Sequence, residues 1–379
     1  MTAINDTARL PAPGTVSVVA PMTSGEPAEW LGNHVAEVKA SVSRFTRRCC
    51  EEHFTAPDTA VLGEVLNDFV AKGKYLRSTF AYLGWLCGQP ESTAAAQATG
   101  GLELLHAFAL IQDDVMDESA SRRGRSTVHV QLADWHRGTG RCDDSDRFGR
   151  SAAILLSDLC LIWAERMLRE AGLPPTSVQR AWPVYDLMRS ELAVGQYSDL
   201  LNEGAGAPTL PVVLDIARRK SGNYSVRRPL ELGAALAGCP PSTTRTLQRY
   251  GTLIGEAFQL RDDLLGVFGD PELTGKPLGD DLRQHKATSV IVLARELASP
   301  SQRDRLNALV TLPAGEPDEA SRIEWWQRLI EQTGAPARIE QLIADRVSAA
   351  TAVLRGAHLP ASPEQAMVHL ADRCTTRDH

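Results

Sequence analysis

A helical apolar period, sustained from Trp30 onward, is what most restricts the fold of this chain. Segments such as VLGEVLNDFV, SAAILLSDLCLIWAERMLREAG, VQRAWPVYDLMRSELAVGQYSDL and LQRYGTLIGEAFQLRDDLLGVFG place apolar residues three and four apart. That spacing gathers them on one face of an α-helix. The segments run well past ten residues, and clean alternation of apolar and polar residues is scarce, so there is little to build a sheet from. Aromatic residues are only 6% of the chain while Ala and Leu are abundant, which also suits helix over strand. Helix breakers fall between the segments: GQP at 88–90, GLPP at 172–175, GAPTLP at 206–211, GCPP at 238–241, PAGEP at 313–317 and GAP at 334–336. The pattern predicts an all-α fold, a single large bundle of roughly ten to twelve helices, with no βαβ rhythm and no internal repeat of fixed period.

Three stretches fall outside the helical pattern. Residues 1–28 are rich in Pro, Gly, Thr, Ser and Ala and read as a disordered arm ahead of an all-helical domain over 29–379. RGTGRCDDSDRFGR (137–150) reads as a surface loop between two helices. TLPAGEPDEASR (311–322) reads as a linker before a last helical region that contains Trp325 and Trp326.

Composition removes several classes of function. The charge is 40 − 47 = −7, against the basic excess of a mainly electrostatic nucleic-acid binder. Seven cysteines, an odd number with no C-x-x-C pair, argue against a disulfide framework or a structural zinc site. No stretch reads as the ~18 consecutive apolar residues of a membrane span, and no basic segment followed by an apolar run marks a secretory signal. A reducing cytoplasm is the expected location.

The chemistry concentrates in two acidic segments. In GLELLHAFALIQDDVMDESASRRGRSTVH (101–129), Asp113 and Asp117 are four apart and share a helix face, with Asp114 to one side. His106 lies two turns earlier on nearly the same face, and the residues between are apolar. Like charges at the end of a buried helix are unfavourable unless a cation neutralises them. Hard oxygen ligands of this kind suit Mg²⁺ bridging to substrate phosphates. Alone, the segment reads equally well as a solvated acidic helix end. The second segment, GEAFQLRDDLLGVFGD (255–270), ends another apolar helix with Asp262 and Asp263, and Gln259 stands one turn before Asp262. TGKPLGDDLRQHKATS (274–289) follows, with Lys276, Asp280, Asp281 and Lys286. Two aspartate-tipped helices facing across a bundle core could clamp a Mg²⁺–diphosphate cluster from both sides. Cations are interspersed: Lys74 and Arg77 in Gly73–Lys74–Tyr75–Leu76–Arg77, then Arg122 and Arg123, then Lys220 in KSGNYS. Singly, each reads as a surface cation; together they suit a polyanionic ligand.

From about Trp30 to about Ala371 the chain resembles the trans-isoprenyl diphosphate synthases. The resemblance rests on GKYLRS against the family's GKxLRP, DDVMD with SASRRG against DDxxD…RRG, KSGNYS against a KTxxYT-like element, and FQLRDD…GKPLGDDL against the second aspartate-rich region. Order and separations agree as well as the words, and the likeness is greatest to actinobacterial geranylgeranyl-type enzymes. It implies head-to-tail coupling: an allylic diphosphate (dimethylallyl, geranyl or farnesyl) ionises, and the double bond of isopentenyl diphosphate attacks the cation. It further implies Asp113, Asp117 and Asp262 as ligands of Mg²⁺, three ions per site, with Asp114 in support. Arg122, Lys220 and Lys276 would hold the allylic diphosphate, and Lys286 would be a further substrate-binding residue. Lys74, Arg77, His106 and Arg123 would hold isopentenyl diphosphate. Ser221 and Gln259 would stand beside the reacting carbons, and a homodimer is expected.

The departures are Ser78 for a usual Pro, Tyr75 for a frequent Arg, Gln112 for a frequent His, Gly266 for the last Asp of the second motif, and His285 for a frequent Gly. None removes a proposed metal ligand. Phe108 and Ala109, five and four residues before Asp113, resemble the geranylgeranyl pattern, and no insertion interrupts DDVMD. A farnesyl diphosphate synthase is the alternative product class. A class I terpene cyclase is disfavoured because no N/D-D-x-x-S-x-x-x-E motif is present. A catalytically weak partner subunit is disfavoured because Asp113, Asp114, Asp117, Asp262 and Asp263 all stand.

Overall fold

The computed structural model describes residues 26–122, 124–140, 144–203, 208–270, 279–283, 286–309 and 319–376. Most of the arm expected over 1–28 lies outside them, and the first helix already begins at Pro27. The chain is an all-α bundle. In order it runs α1 (Pro27–His53), α2 (Pro57–Val70), α3 (Leu76–Leu86), α4 (Thr93–Met116), a two-residue hairpin β1 (Ser121–Arg122) and β2 (Arg125–Ser126), α5 (Val128–Gly138), α6 (Ser145–Arg169), α7 (Pro175–Glu203), α8 (Leu210–Ala217), a π-helix (Arg218–Arg227), α9 (Arg228–Ala237) and α10 (Pro241–Phe268). After these come α11 (Asp280–Arg283), α12 (Ser289–Leu297), α13 (Pro300–Leu309), α14 (Glu319–Gln332), α15 (Ala335–Arg355) and α16 (Ala361–Thr375).

The described helices outnumber the ten to twelve expected, because the period does not reveal where a long apolar run is cut into short, separately capped pieces. Local chemistry accounts for the cuts. Pro27, Pro57 and Pro241 open their helices, where a missing N–H costs nothing. The Ser92 hydroxyl caps α4 by accepting the Ala95 N–H at 3.2 Å. The Asp144 carboxylate caps α6 by accepting the Arg147 N–H at 3.0 Å. That cap corrects the loop expected over 137–150: helix reaches Gly138 and resumes at Ser145, so only a short connection separates α5 from α6. Within the linker expected over 311–322, residues 311–318 lie outside the described chain and 319–322 already belong to α14.

Helix α4 is the structural axis. Ala95, Ala98, Leu102, Leu104, Leu105 and Ile111 are buried, with α3 on one side and α6 on the other. By length and hydropathy it is the one helix among the described residues that could cross a membrane, contrary to the sequence reading, yet 67% of that window is buried inside the protein. A helix that is apolar all round serves a bundle centre as well as a bilayer.

One apolar core collects residues of α1 to α7, the π-helix, α9, α10 as far as Phe258, the end of α15 and α16. A second gathers Leu260, Leu264 and Val267 of α10 with Leu293, Trp326, Leu329, Ile339 and Ile343. Helix α10 thus passes from one core to the other and delivers Asp262 near their junction. Elsewhere, helices α3 and α9 cross so closely that a Cβ at Gly233 would stand 1.7 Å from the Ala81 carbonyl oxygen. That backbone atom cannot step aside without bending α3. Gly233→Ala therefore lowers the thermal midpoint, at a cost of about 1–3 kcal/mol or more for overpacking. Thermal unfolding followed by circular dichroism measures it, and an unchanged midpoint would show that the helices can part freely.

Candidate active site

The first acidic motif closes α4. Its helical carbonyls end there, so the carboxylates of Asp113 and Asp117 stand at the negative end of a macrodipole and need cations nearby. The chain then turns back on itself. Glu118 adopts φ +50, and Gly124, at φ +71, supplies the left-handed residue of the hairpin between β1 and β2. This reversal lays Arg122 over the helix end it has just left. Its Nε donates to Asp114 Oδ1 at 2.7 Å and one Nη to Asp113 Oδ2 at 3.0 Å. Asp114 is only 1% exposed, so its charge is met by Arg122 inside the protein.

Two further cations arrive from distant elements. Lys220, on the π-helix, places its Nζ 3.3 Å from Asp113 Oδ1 and donates to Asp199 Oδ2 at 2.6 Å. Lys286, just beyond α11, donates from Nζ to Asp117 Oδ2 at 2.7 Å. Burial pushes the Asp113 carboxyl up, but Lys220, Arg122 and Lys286 outweigh it and hold the group below the ordinary carboxylate range. Burial also works against the charge on Lys220, yet Asp113 and Asp199 raise its pKa above that of an ordinary lysine. Asp113 and Lys220 therefore each favour the other's charged form.

The π-helix seats against α10 through two glycines. A Cβ on Gly255 would lie 2.6 Å from the Gly222 carbonyl oxygen, so neither position tolerates a side chain without the helices parting. Ser221, half-buried, follows Lys220 on this element.

The two aspartates of the second motif part company. Asp262 is half-buried, whereas Asp263 turns into the protein. Asp263 accepts from the Ser289 N–H at 3.0 Å, the Ser289 hydroxyl at 2.6 Å and the Gln259 amide at 2.8 Å. Burial raises its pKa, against the pull of those bonds. Gln259, expected beside reacting carbons, thus has its amide nitrogen engaged with Asp263. Where the family's motif carries a last aspartate, Gly266 leaves a seat filled from elsewhere: a Cβ there would stand 1.9 Å from Asp281 Oδ2. Asp281 is itself buried, and its carbonyl accepts the Lys286 N–H at 2.9 Å. The segment that carries Lys286 to Asp117 is therefore docked on α10 through Asp281.

The GKYLRS segment leads into α3. Tyr75 occupies the N-cap at φ +57, a strained conformation for a tyrosine, with its ring buried and its hydroxyl donating to the Val70 carbonyl at 2.9 Å. Ser78, in place of the family's Pro, gives both its N–H and its hydroxyl to Glu103 Oε1, at 2.9 and 2.7 Å. Proline could supply neither donor. Arg77 turns toward the π-helix, where Nη2 donates to Ser225 Oγ at 2.7 Å and the guanidinium lies 4.5 Å from the Tyr224 ring centroid. The His106 ring stands 6.2 Å from that same ring. Lys74 is exposed, and Gln112 ties α4 to α6 through a 2.6 Å bond to Ser157 Oγ. Phe108 and Ala109 are partly buried and pack against the larger core. Arg123, Lys276 and His285 lie outside the described residues.

Among the described residues, no three Asp, Glu, His or Cys side chains gather closely enough to hold a metal ion on their own. Asp113, Asp117 and Asp262 are nevertheless hard oxygen donors at partly exposed helix ends. Mg²⁺ commonly uses one or two such carboxylates and completes its shell with water and substrate phosphate. The donor set fits that ion when a diphosphate is present.

Sequence reasoning overlooked Asp199, Glu103, Tyr224, Ser225 and Ser289. No motif word singles out Asp199 or Ser289. Tyr224 and Ser225 stood inside KSGNYS, but the π-helical winding that aims them left no trace in the apolar period.

Residues 59–324 match the family described as polyprenyl synthetase. A geranylgeranyl diphosphate synthase of Mycobacterium tuberculosis is 34% identical over 285 residues, 75% of each chain. A (2E,6E)-farnesyl diphosphate synthase of the same organism is 34% identical over 216 residues, 57% of this chain and 55% of that one. The crystal structure of a Corynebacterium glutamicum geranylgeranyl pyrophosphate synthase, complexed with isoprenyl diphosphate and magnesium, superposes with a TM-score of 0.84 at 35% identity, covering 90% of this chain and 97% of that one.

Proposed function

The chain belongs to the polyprenyl synthetase family and is a prenyltransferase that condenses isopentenyl diphosphate with an allylic diphosphate, and on that premise we propose that its product is the twenty-carbon geranylgeranyl diphosphate. The observation that carries the length is the pairing of Phe108 and Ala109 on α4, packed against the larger core. At 1.5 Å per residue, Phe108 lies roughly 7–8 Å below Asp113 along the axis. Its ring forms a floor while the Ala109 methyl leaves room above it. Likeness to two geranylgeranyl synthases supports the same length, and likeness to a farnesyl synthase makes fifteen carbons the second reading. Incubation with isopentenyl diphosphate and each of dimethylallyl, geranyl and farnesyl diphosphate, with Mg²⁺, tests it. Chromatography of the dephosphorylated products should give geranylgeraniol, and a dominant fifteen-carbon alcohol would reject the proposal.

In this reading Asp113, Asp117 and Asp262 hold Mg²⁺, which when bound stabilises the leaving diphosphate as a Lewis acid. Magnesium in the Corynebacterium complex supports the choice of ion; a complement of three ions is our proposal. Lys220, Lys286, Arg122 and Lys276 neutralise the allylic diphosphate. The first three already ring Asp113 and Asp117, so little reorganisation is needed as charge develops. Asp114 keeps Arg122 in place, and Ser221 and Gln259 offer oxygen dipoles toward the allylic cation. Lys74, Arg77, His106 and Arg123 bind isopentenyl diphosphate, and the released diphosphate accepts the proton, so no side-chain base is required.

Lys74→Ala and Arg77→Ala accordingly raise the KM for isopentenyl diphosphate, roughly tenfold to a hundredfold for loss of a ~1.5–3 kcal/mol charged contact. Uniform binding lost in ground and transition states appears in KM with kcat little changed. Initial rates with each substrate varied in turn measure this, and weakened allylic binding instead would exchange the two subsites.

The same reading treats residues 29–379 as one prenyl synthase domain working as a homodimer in a reducing compartment. Leu155 and Ile162 on α6, and Leu187 and Val194 on α7, are 66%, 55%, 44% and 52% exposed. Each pair is seven residues apart and shares a helix face, an apolar surface suited to a second copy. Sedimentation velocity reads the assembly directly. None of the six described cysteines is in a disulfide, which suits the compartment.

A further inference from the structure

We propose that Tyr224 and Ser225 are positioning residues that hold Arg77 ready for isopentenyl diphosphate, and that the π-helix is the strut which lets them do so. The inference rests on the proposed binding of that substrate by Arg77.

Arg77 stands in the first turn of α3, and its partner Ser225 lies 148 residues further along the chain, with Tyr224 just before it. Both partners are buried, Tyr224 at 3% and Ser225 at 1% exposure, so neither is held by solvent or free to drift. Ser225 Oγ accepts one of the five guanidinium N–H donors, and the Tyr224 ring meets the guanidinium. Most of the planar fork therefore stays available to an incoming diphosphate. An arginine side chain carries about 2 kcal/mol of rotamer entropy. Holding it before the ligand arrives removes part of that cost from binding. The Tyr224 ring also faces His106, a second residue read as part of the same subsite.

The winding explains why one element serves both substrates. In an α-helix, residues five apart point about 140° from one another, since each residue advances the helix by ~100°. In a π-helix the hydrogen bonds run from i to i+5 and each residue turns the chain less, so residues five apart lie on roughly the same side. Lys220 and Ser225 are five apart. The π-helical turn thus brings the lysine that meets Asp113 and the serine that meets Arg77 onto one face. An α-helical turn through KSGNYS would aim one of them away.

The test is a set of steady-state KM values for each substrate, with a double-mutant cycle through Arg77. Ser225→Ala and Tyr224→Leu should each raise the KM for isopentenyl diphosphate by about tenfold, with kcat and the allylic KM within about twofold of wild type. Ser225→Thr, which keeps the hydroxyl, and Tyr224→Phe, which keeps the ring, should restore most of the affinity. In an Arg77→Ala background, Ser225→Ala should add nothing further, because the group it positions is gone. Tyr224→Leu removes a buried ring and can unfold the protein, so the serine cycle decides the outcome. If Ser225→Ala raised that KM by the same factor with and without Arg77, the positioning role would be wrong. If Arg77→Ala and Ser225→Ala both acted on the allylic KM, with no further loss in the double variant, the positioning role would stand. The assignment of Arg77 to isopentenyl diphosphate would then fall.

Discussion

Replacing Asp113 or Asp262 with alanine lowers turnover about a thousandfold at saturating Mg²⁺, the loss expected when a transition-state contact worth ~4 kcal/mol disappears. Both side chains stand near the C-terminal ends of long buried helices, where helical carbonyls already concentrate negative charge. Carboxylates there are useful only if cations join them, and Lys220 and Arg122 already meet Asp113 from two sides. Removing Asp113 leaves those two cations facing the diphosphate without the anion that orders them. On the proposed reading Asp262 supplies a carboxylate from α10 to the same ions. Its neighbour Asp263 behaves differently, because its carboxylate is committed to Ser289 and Gln259. Asp263→Ala leaves those donors unmatched in the interior, so its first effect is on stability. Single-turnover rates across a Mg²⁺ titration, paired with thermal melts, separate the two cases. Near wild-type turnover in either Asp113→Ala or Asp262→Ala would move the metal site elsewhere.

Exchanging bulk at Phe108 and Ala109 changes which product is made. Phe108→Ala removes the ring that forms the floor and extends the product beyond twenty carbons. Ala109→Phe raises the floor by one residue, about 1.5 Å along the axis but with a full ring across the channel, and shortens the product toward fifteen carbons. Both positions are partly buried against the larger core without being closed off within it, so each can meet a growing chain. Product analysis after exhaustive incubation with isopentenyl diphosphate reads the result. An unchanged distribution in both variants would place the floor on another helix.

The linear order of residues reveals what repeats locally or is spelled within a few positions. The three-and-four apolar period gives helices because that period is the geometry of the helix itself. Asp113 and Asp117 share a face for the same reason. Proline and glycine positions marked most helix breaks, and they erred over 137–150 only because Asp144 caps a helix that polar composition disguised. The family words singled out Lys74, Arg77, Lys220 and Lys286, residues whose spacing alone would not distinguish them from surface cations.

Tertiary structure decided which partner each of these residues meets. Lys286 reaches Asp117 across 169 positions, and Arg77 reaches Ser225 across 148. Nothing local encodes such a pairing; it follows from how α3, α4, α10 and the π-helix pack. Asp262 and Asp263 are adjacent and identical in type, yet one remains half-exposed and the other is buried on Ser289, because successive helical residues point ~100° apart. Gly266 reads in sequence as a lost aspartate, and packing seats the carboxylate of Asp281 against it. The π-helical winding of Arg218–Arg227 was equally hidden, since a run so poor in aliphatic residues carries no apolar period to betray its pitch. The amino-acid order therefore specified the helices and the chemical groups at their ends. The packing of those helices specified which charges meet, because side-chain contacts depend on distances that only the assembled bundle sets.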